Sequence, residues 1–119
     1  MNWEPINAKI SQFEYHHIEF MIGDCFQWEP LKELIGCNKK KIVFCDGGNK
    51  ADEFNTFSSY INPGDIIGAH DYWDNQTESK WTNYEIEFSK IETEVKNNNL
   101  KRVFKEAGNR AAWGIFQKQ

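Results

Sequence analysis

The chain has little cysteine, no long apolar run, no excess of positive charge and no glycine-rich turn of the kind that grips a nucleotide, and each absence removes a class of protein. Its three cysteines, Cys25, Cys37 and Cys45, are odd in number and lack CxxC spacing, and two lie inside apolar runs where a thiol packs as a small hydrophobe. That usage fits a reducing compartment, the cytoplasm. No stretch approaches the roughly 18 uninterrupted apolar residues of a membrane helix, and the opening Met-Asn-Trp-Glu-Pro has no apolar h-region, so neither membrane nor export is expected. Fourteen Lys and Arg against eighteen Asp and Glu give a net charge of -4, which leaves no global basic field for a polyanion. The small clusters Lys39, Lys40, Lys41 and Lys101, Arg102 read as solvated flanks of strands, and nucleic acid is not expected as a partner. There are no internal repeats, no low-complexity tract and no linker.

What is present fits one compact domain spanning residues 1–119: 39% of residues are apolar, 27% are charged and 15% are aromatic, with five Trp. A chain this long buries roughly two-thirds of its unfolded surface, enough for a three-layer α/β sandwich only if the sheet is short. The aromatics suit a core of large rings or an apolar patch facing a partner.

Periodicity predicts alternating elements. Ile6, Ile10 and Phe13 recur at helical spacing after Pro5, and Ile18, Phe20 and Ile22 alternate as in a strand that stops at Gly23-Asp24. Leu31, Leu34 and Ile35 follow Pro30 as a brief helix, with Gly36 placed as a left-handed cap. Lys41-Ile-Val-Phe-Cys45 reads as a strand buried on both faces, and Asp65-Ile-Ile-Gly-Ala69 as a second. Between them Phe54, Phe57 and Ile61 mark a helix over Ala51 to Ile61 that Asn62-Pro63-Gly64 ends. Trp81, Tyr84, Phe88, Ile91 and Val95 predict a long amphipathic helix. Leu100 to Lys105 and Ala111 to Phe116 form a closing antiparallel hairpin with turn chemistry at Gly108-Asn109. Such alternation implies a mostly parallel sheet with helices on its faces and one antiparallel addition at the end.

In open α/β sheets ligands sit outside the carboxyl ends of the strands. That rule selects Asp24, Asp46, His70 and Asp71, each following a strand. Asp24 and Asp46 also have a plainer use, accepting hydrogen bonds from turn or helix N-terminal amides. His70 beside Asp71 offers a base or a metal ligand, and Asp46, His70 and Asp71 on adjacent strand ends suit a hard cation such as Mg2+. His16-His17 has no partner at ligand spacing and reads as a solvated pair.

The stretch Phe44-Cys-Asp-Gly-Gly-Asn-Lys50, followed by a helix and Asn62-Pro-Gly-Asp-Ile-Ile-Gly-Ala-His-Asp-Tyr72, resembles the fourth and fifth strands of class I S-adenosylmethionine-dependent methyltransferases. The likeness is to their small-molecule O-methyltransferase branch, where a "DGxH/K" turn and a "PGGxxxxHDY" strand recur. Ile18 to Phe26 is similar to the third strand with its "GD" turn, and Ala111-Ala-Trp-Gly-Ile-Phe116 to the final hairpin. The resemblance implies a truncated Rossmann-like sandwich that binds S-adenosylmethionine and methylates a hydroxyl of a small molecule. It implies cofactor contacts at Asp24, Cys25 and Asp46, a divalent cation at Asp46, His70 and Asp71, and catalytic roles for His70 and Asp71. Metal-dependent members more often carry an acid where His70 stands.

The family's first strand, glycine-rich cofactor loop and second strand have no counterpart in these residues: the only glycine before Gly36 is Gly23. A rival alignment makes Ile18 to Ile22 the first strand and Asp46 the ribose acid, but Gly23-Asp-Cys-Phe26 cannot form the loop. In the family's strand order (third, second, first, fourth, fifth, seventh, sixth) the loss of the first two separates the third from the fourth. Either those two pair directly, a second copy supplies the edge, or a separately encoded N-terminal half completes the domain. The rival expectation is a non-catalytic binding or scaffold module that keeps the fold and pairs with a partner chain.

Overall fold

The structure is a computed structural model that describes residues 23–73 and 86–119. The helix expected over Ile6 to Tyr15 and the strand over His17 to Ile22 lie outside the described residues. Among the described residues the elements are, in order, α1 (Glu29–Ile35), β1 (Ile42–Cys45), α2 (Lys50–Phe57), β2 (Ile66–His70), β3 (Tyr72–Trp73), β4 (Ile86–Glu87), a 3-10 turn (Phe88–Lys90), α3 (Glu92–Asn97), β5 (Leu100–Arg102), α4 (Lys105–Arg110) and β6 (Trp113–Lys118). None of the described helices is long and apolar enough to cross a membrane.

Four strands form one mixed sheet in the order β1-β2-β6-β5, and β3 pairs with β4 in a separate ribbon. β1 and β2 are parallel, with Ile42 opposite Ile66 and Cys45 opposite Ala69. β6 runs antiparallel to both β2 and β5. The expectation of a mostly parallel sheet is therefore corrected: the one reversed strand sits between two others, so two of the three pairings are antiparallel.

Strand alternation sends Val43, Cys45, Ile67, Ala69 and Phe116 to one face, where they meet Ile35 of α1, Phe54 and Phe57 of α2 and Val95 of α3 in one cluster. Rings interlock there, Phe54 edge-on to Phe116 at 5.5 Å and Phe26 stacked on Phe57 at 6.2 Å. Phe54 and Ile67 are wholly buried, so truncating either removes a fully desolvated side chain. The other face holds Ile42 and Phe44, 59% and 58% exposed.

Local chemistry explains where elements start and stop. Asn49 caps α2 by accepting the Asp52 amide, and the turn Asn62 to Gly64 leads into β2. Gly64 holds a φ of +91°, open to glycine alone at no cost, and donates its N–H to the Lys118 carbonyl at 2.7 Å. Asp65 joins the amino ends of β1 and β2. Its carboxylate accepts from the Lys41 ammonium, the Lys41 amide (3.2 Å) and the Asn62 amide (2.8 Å).

Three other expectations are corrected. Gly36 ends α1 in a right-handed conformation (φ -84°), because its N–H bonds straight back to the Lys32 carbonyl and no left-handed turn is needed. Of the long helix expected through Val95, Trp81 and Tyr84 lie outside the described residues, and from Ile86 onward it is not continuous. Ile86 instead donates its N–H to the Asp71 carbonyl at 3.0 Å and enters β4, and Ile91 (φ -120°) separates the 3-10 turn from α3. The buried positions Ile91 and Val95 keep the predicted spacing without one unbroken helix. Finally, the closing hairpin is joined by α4, not by a tight turn at Gly108-Asn109: Gly108 donates to the Phe104 carbonyl at 2.8 Å inside that helix.

Candidate functional site

Parallel pairing in register places the residue after β1 beside the last residue of β2, so Asp46 and His70 meet at the carboxyl end of the sheet. His70 Nδ1 lies 3.3 Å from Asp46 Oδ1 and 3.6 Å from Asp71 Oδ1. The imidazole rests on Trp113, its cross-strand partner on β6, with ring centroids 4.8 Å apart. Of the two ring nitrogens, Nδ1 is the one that lies near both carboxylates.

Asp71 is turned toward this cluster by its backbone. Its φ of 58° is left-handed, a region Asp enters more readily than most residues. The kink ends β2, and the Tyr72 amide then bonds the Ala112 carbonyl at 3.0 Å. Asp71 Oδ2 accepts from Lys50 Nζ at 3.0 Å, and Asp46 Oδ1 lies 3.8 Å from the same nitrogen. The Lys50 side chain is only 8% exposed.

The loop that presents Asp46 and Lys50 is clamped from below. Glu53, buried on α2, accepts the Gly47 and Asn49 amides, both at 3.2 Å. A Cβ on Gly47 would stand 2.6 Å from Glu53 Oε2, which explains the glycine after Asp46 by close approach. Beneath this loop, burial, and then the charges of Glu53 and Cys25, push the Cys45 thiol up to about 12. Burial, and then Glu53 and Asp24, raise Cys25 as well. At neutral pH both are thiols, not nucleophilic thiolates.

The structure thus brings Asp46, His70 and Asp71 together. Asp24 is placed otherwise: it is exposed, and its Oδ1 accepts the Phe26 amide at 2.9 Å in the turn role that Asp most often fills. Cys25 is half-buried against the core cluster. Two members of the site carried no assignment in the sequence, Lys50 and Trp113. Lys50 had a legible signal, a lysine four residues after Asp46 in the first turn of a helix, where the helix dipole disfavours a cation. Trp113 had none, because its contact with His70 depends on which strand β6 joins.

The divalent cation implied by the resemblance does not fit Asp46, His70 and Asp71: among the described residues no three His, Cys, Asp or Glu side chains are arranged to hold a metal ion, and the Lys50 ammonium already faces both carboxylates. A groove of about 440 Å³ runs along the first turns of α2, lined by Gly48, Asn49, Lys50, Asp52, Asn55 and Lys90. No aromatic residue is among the described residues that line it. Comparison with protein-family models, with curated proteins and with solved structures finds no match.

Proposed function

We propose that the chain supplies the acceptor-side half of a methyltransferase of the S-adenosylmethionine-dependent, Rossmann-like kind, acting on a hydroxyl of a small molecule. One observation carries this reading: the order β1-β2-β6-β5 coincides with the fourth, fifth, seventh and sixth strands of that family. The last strand in sequence lies second from the edge and is the reversed one. The acids and the histidine stand at the carboxyl ends of the parallel pair, where such folds hold their ligands.

In this reading His70 Nε2 accepts the proton of the acceptor hydroxyl, while Asp46 and Asp71 steady the ring from Nδ1. Trp113 fixes the plane of the imidazole. The methyl donor's pocket requires a segment with a glycine-rich loop, contributed by a separately encoded N-terminal half. The test uses radiolabelled S-adenosylmethionine and a panel of small hydroxyl acceptors. The 119-residue chain alone is expected to bind the demethylated cofactor more weakly than about 1 mM, an association free energy of only about 4 kcal/mol. Complementation with the glycine-rich half is expected to restore transfer, and His70→Gln to lower it by about 100-fold or more. Micromolar binding of the cofactor by the lone chain contradicts the half-site reading.

A second reading has its own observation. Ile42 and Phe44, each more than half exposed on one face of β1, suit a module that holds a partner chain. A complex that survives purification yet transfers no methyl group with any acceptor would favour it.

A further inference from the structure

The structure assigns to Lys50 the place of a metal ion: its ammonium is the built-in cation of the Asp46–Asp71 pair, so this crevice takes no divalent cation, and Lys50 positions His70 through the two carboxylates.

The contacts close a ring. Asp71 divides its oxygens, Oδ2 to Lys50 Nζ at 3.0 Å and Oδ1 toward His70 Nδ1 at 3.6 Å. Asp46 uses one oxygen for both, 3.8 Å from Lys50 Nζ and 3.3 Å from His70 Nδ1. A hard cation bridging these carboxylates needs oxygens at about 2.0–2.6 Å. It would have to stand against the ammonium, and two like charges at that range repel strongly in a partly buried site.

Helix stability does not explain the lysine. Lys50 opens α2, at the positive end of the helix dipole, and its side chain is almost fully buried. Both facts disfavour an ammonium there, and the two carboxylates offset them. Asp71 adds a second indication, since its left-handed backbone turns the carboxylate back toward Lys50 and away from the path of the chain. The inference stands on this geometry and holds whether or not the protein transfers methyl groups.

The experiment is a Mn2+ titration of the full chain, read by paramagnetic broadening, together with the ring-nitrogen shifts of His70. The wild type is expected to show no saturable Mn2+ binding up to about 1 mM, the weak end of oxygen-site affinities. Lys50→Gln is expected to tighten Mn2+ binding at least about tenfold and to move the His70 ring shifts, and Lys50→Arg to keep both close to wild type. Saturable binding by the wild type that broadens Asp46, His70 and Asp71 overturns the proposal. So does a folded Lys50→Gln chain that gains no affinity and leaves His70 unmoved. If Lys50→Gln does not fold, Asp46→Asn decides: the Lys50 Nζ and His70 ring resonances must move together, and an unmoved Lys50 overturns it.

Discussion

At the amino ends of β1 and β2, Lys41 and Asp65 form a closed pair whose carboxylate is 1% exposed and accepts three hydrogen bonds. At the carboxyl ends of the same strands, Lys50 meets Asp46 and Asp71, whose side chains are 54% and 26% exposed. The residue types match and the settings differ. The first cluster is dry, saturated and built on turn amides. The second is open to water, includes an imidazole and rests on a left-handed residue. A lysine facing aspartate is thus a structural clamp or a reactive crevice according to how completely neighbouring amides satisfy the carboxylate and how much water reaches it.

The largest expected effect breaks the clamp. Asp65→Ala leaves the Lys41 ammonium and the Asn62 and Lys41 amides without their acceptor, and urea unfolding is expected to show a loss of about 3–5 kcal/mol, as for other buried pairs broken on one side. Asp46→Ala at the open end is expected to cost well under about 1 kcal/mol, the usual worth of an exposed pair. Equal losses at the two ends would erase the distinction.

The clamp also sets an acid limb. Burial alone would raise the Asp65 carboxyl, but the Lys41 side-chain hydrogen bond, the Asn62 and Lys41 amides and the Lys41 charge outweigh it and hold the carboxyl below its ordinary value of 3.8. A group depressed in the folded state contributes stability above its unfolded pKa and loses it as pH falls through the folded one. Unfolding midpoints measured on acidification are therefore expected to drop below about pH 4, and Asp65→Asn to flatten that drop. A profile unchanged in Asp65→Asn contradicts the assignment.

A smaller effect sharpens the other end. Asp71→Val forces a branched side chain into the left-handed region and is expected to cost about 1–3 kcal/mol, whereas Asp71→Asn tolerates that backbone and is expected to keep most of the stability. Smallest of all, Glu106→Ala removes a partner of Arg110 in a pair 86% and 77% exposed. Thermal melts are expected to shift by no more than the scatter of repeated scans.

Much of the open end was legible in the sequence because a short apolar run marks a strand and the residue after it lands at one edge, although burial on both faces fails for β1, where Ile42 and Phe44 are exposed. Ile42–Cys45 and Ile66–His70 each read as a continuous apolar run, and their parallel pairing delivers Asp46 to His70. The ribbon of β3 and β4 was not legible, since Ile86 enters it by bonding the distant Asp71 carbonyl and local spacing favoured a helix. The site's aromatic support escaped for the same reason, whereas its cation left only a local sign, a lysine where a helix begins. Lys50 reaches Asp71, and Trp113 reaches His70, only once the order of the sheet is set.

Everything at the crevice depends on β1 and β2 running side by side in one direction. Cross-strand nuclear Overhauser contacts in the 119-residue chain measure this directly. Contacts joining Ile42 to Ile66 and Cys45 to Ala69 are expected, with the His70 ring against Trp113. Contacts joining Ile42 to Ala69 and Cys45 to Ile66, the pattern of opposed strands, would contradict it.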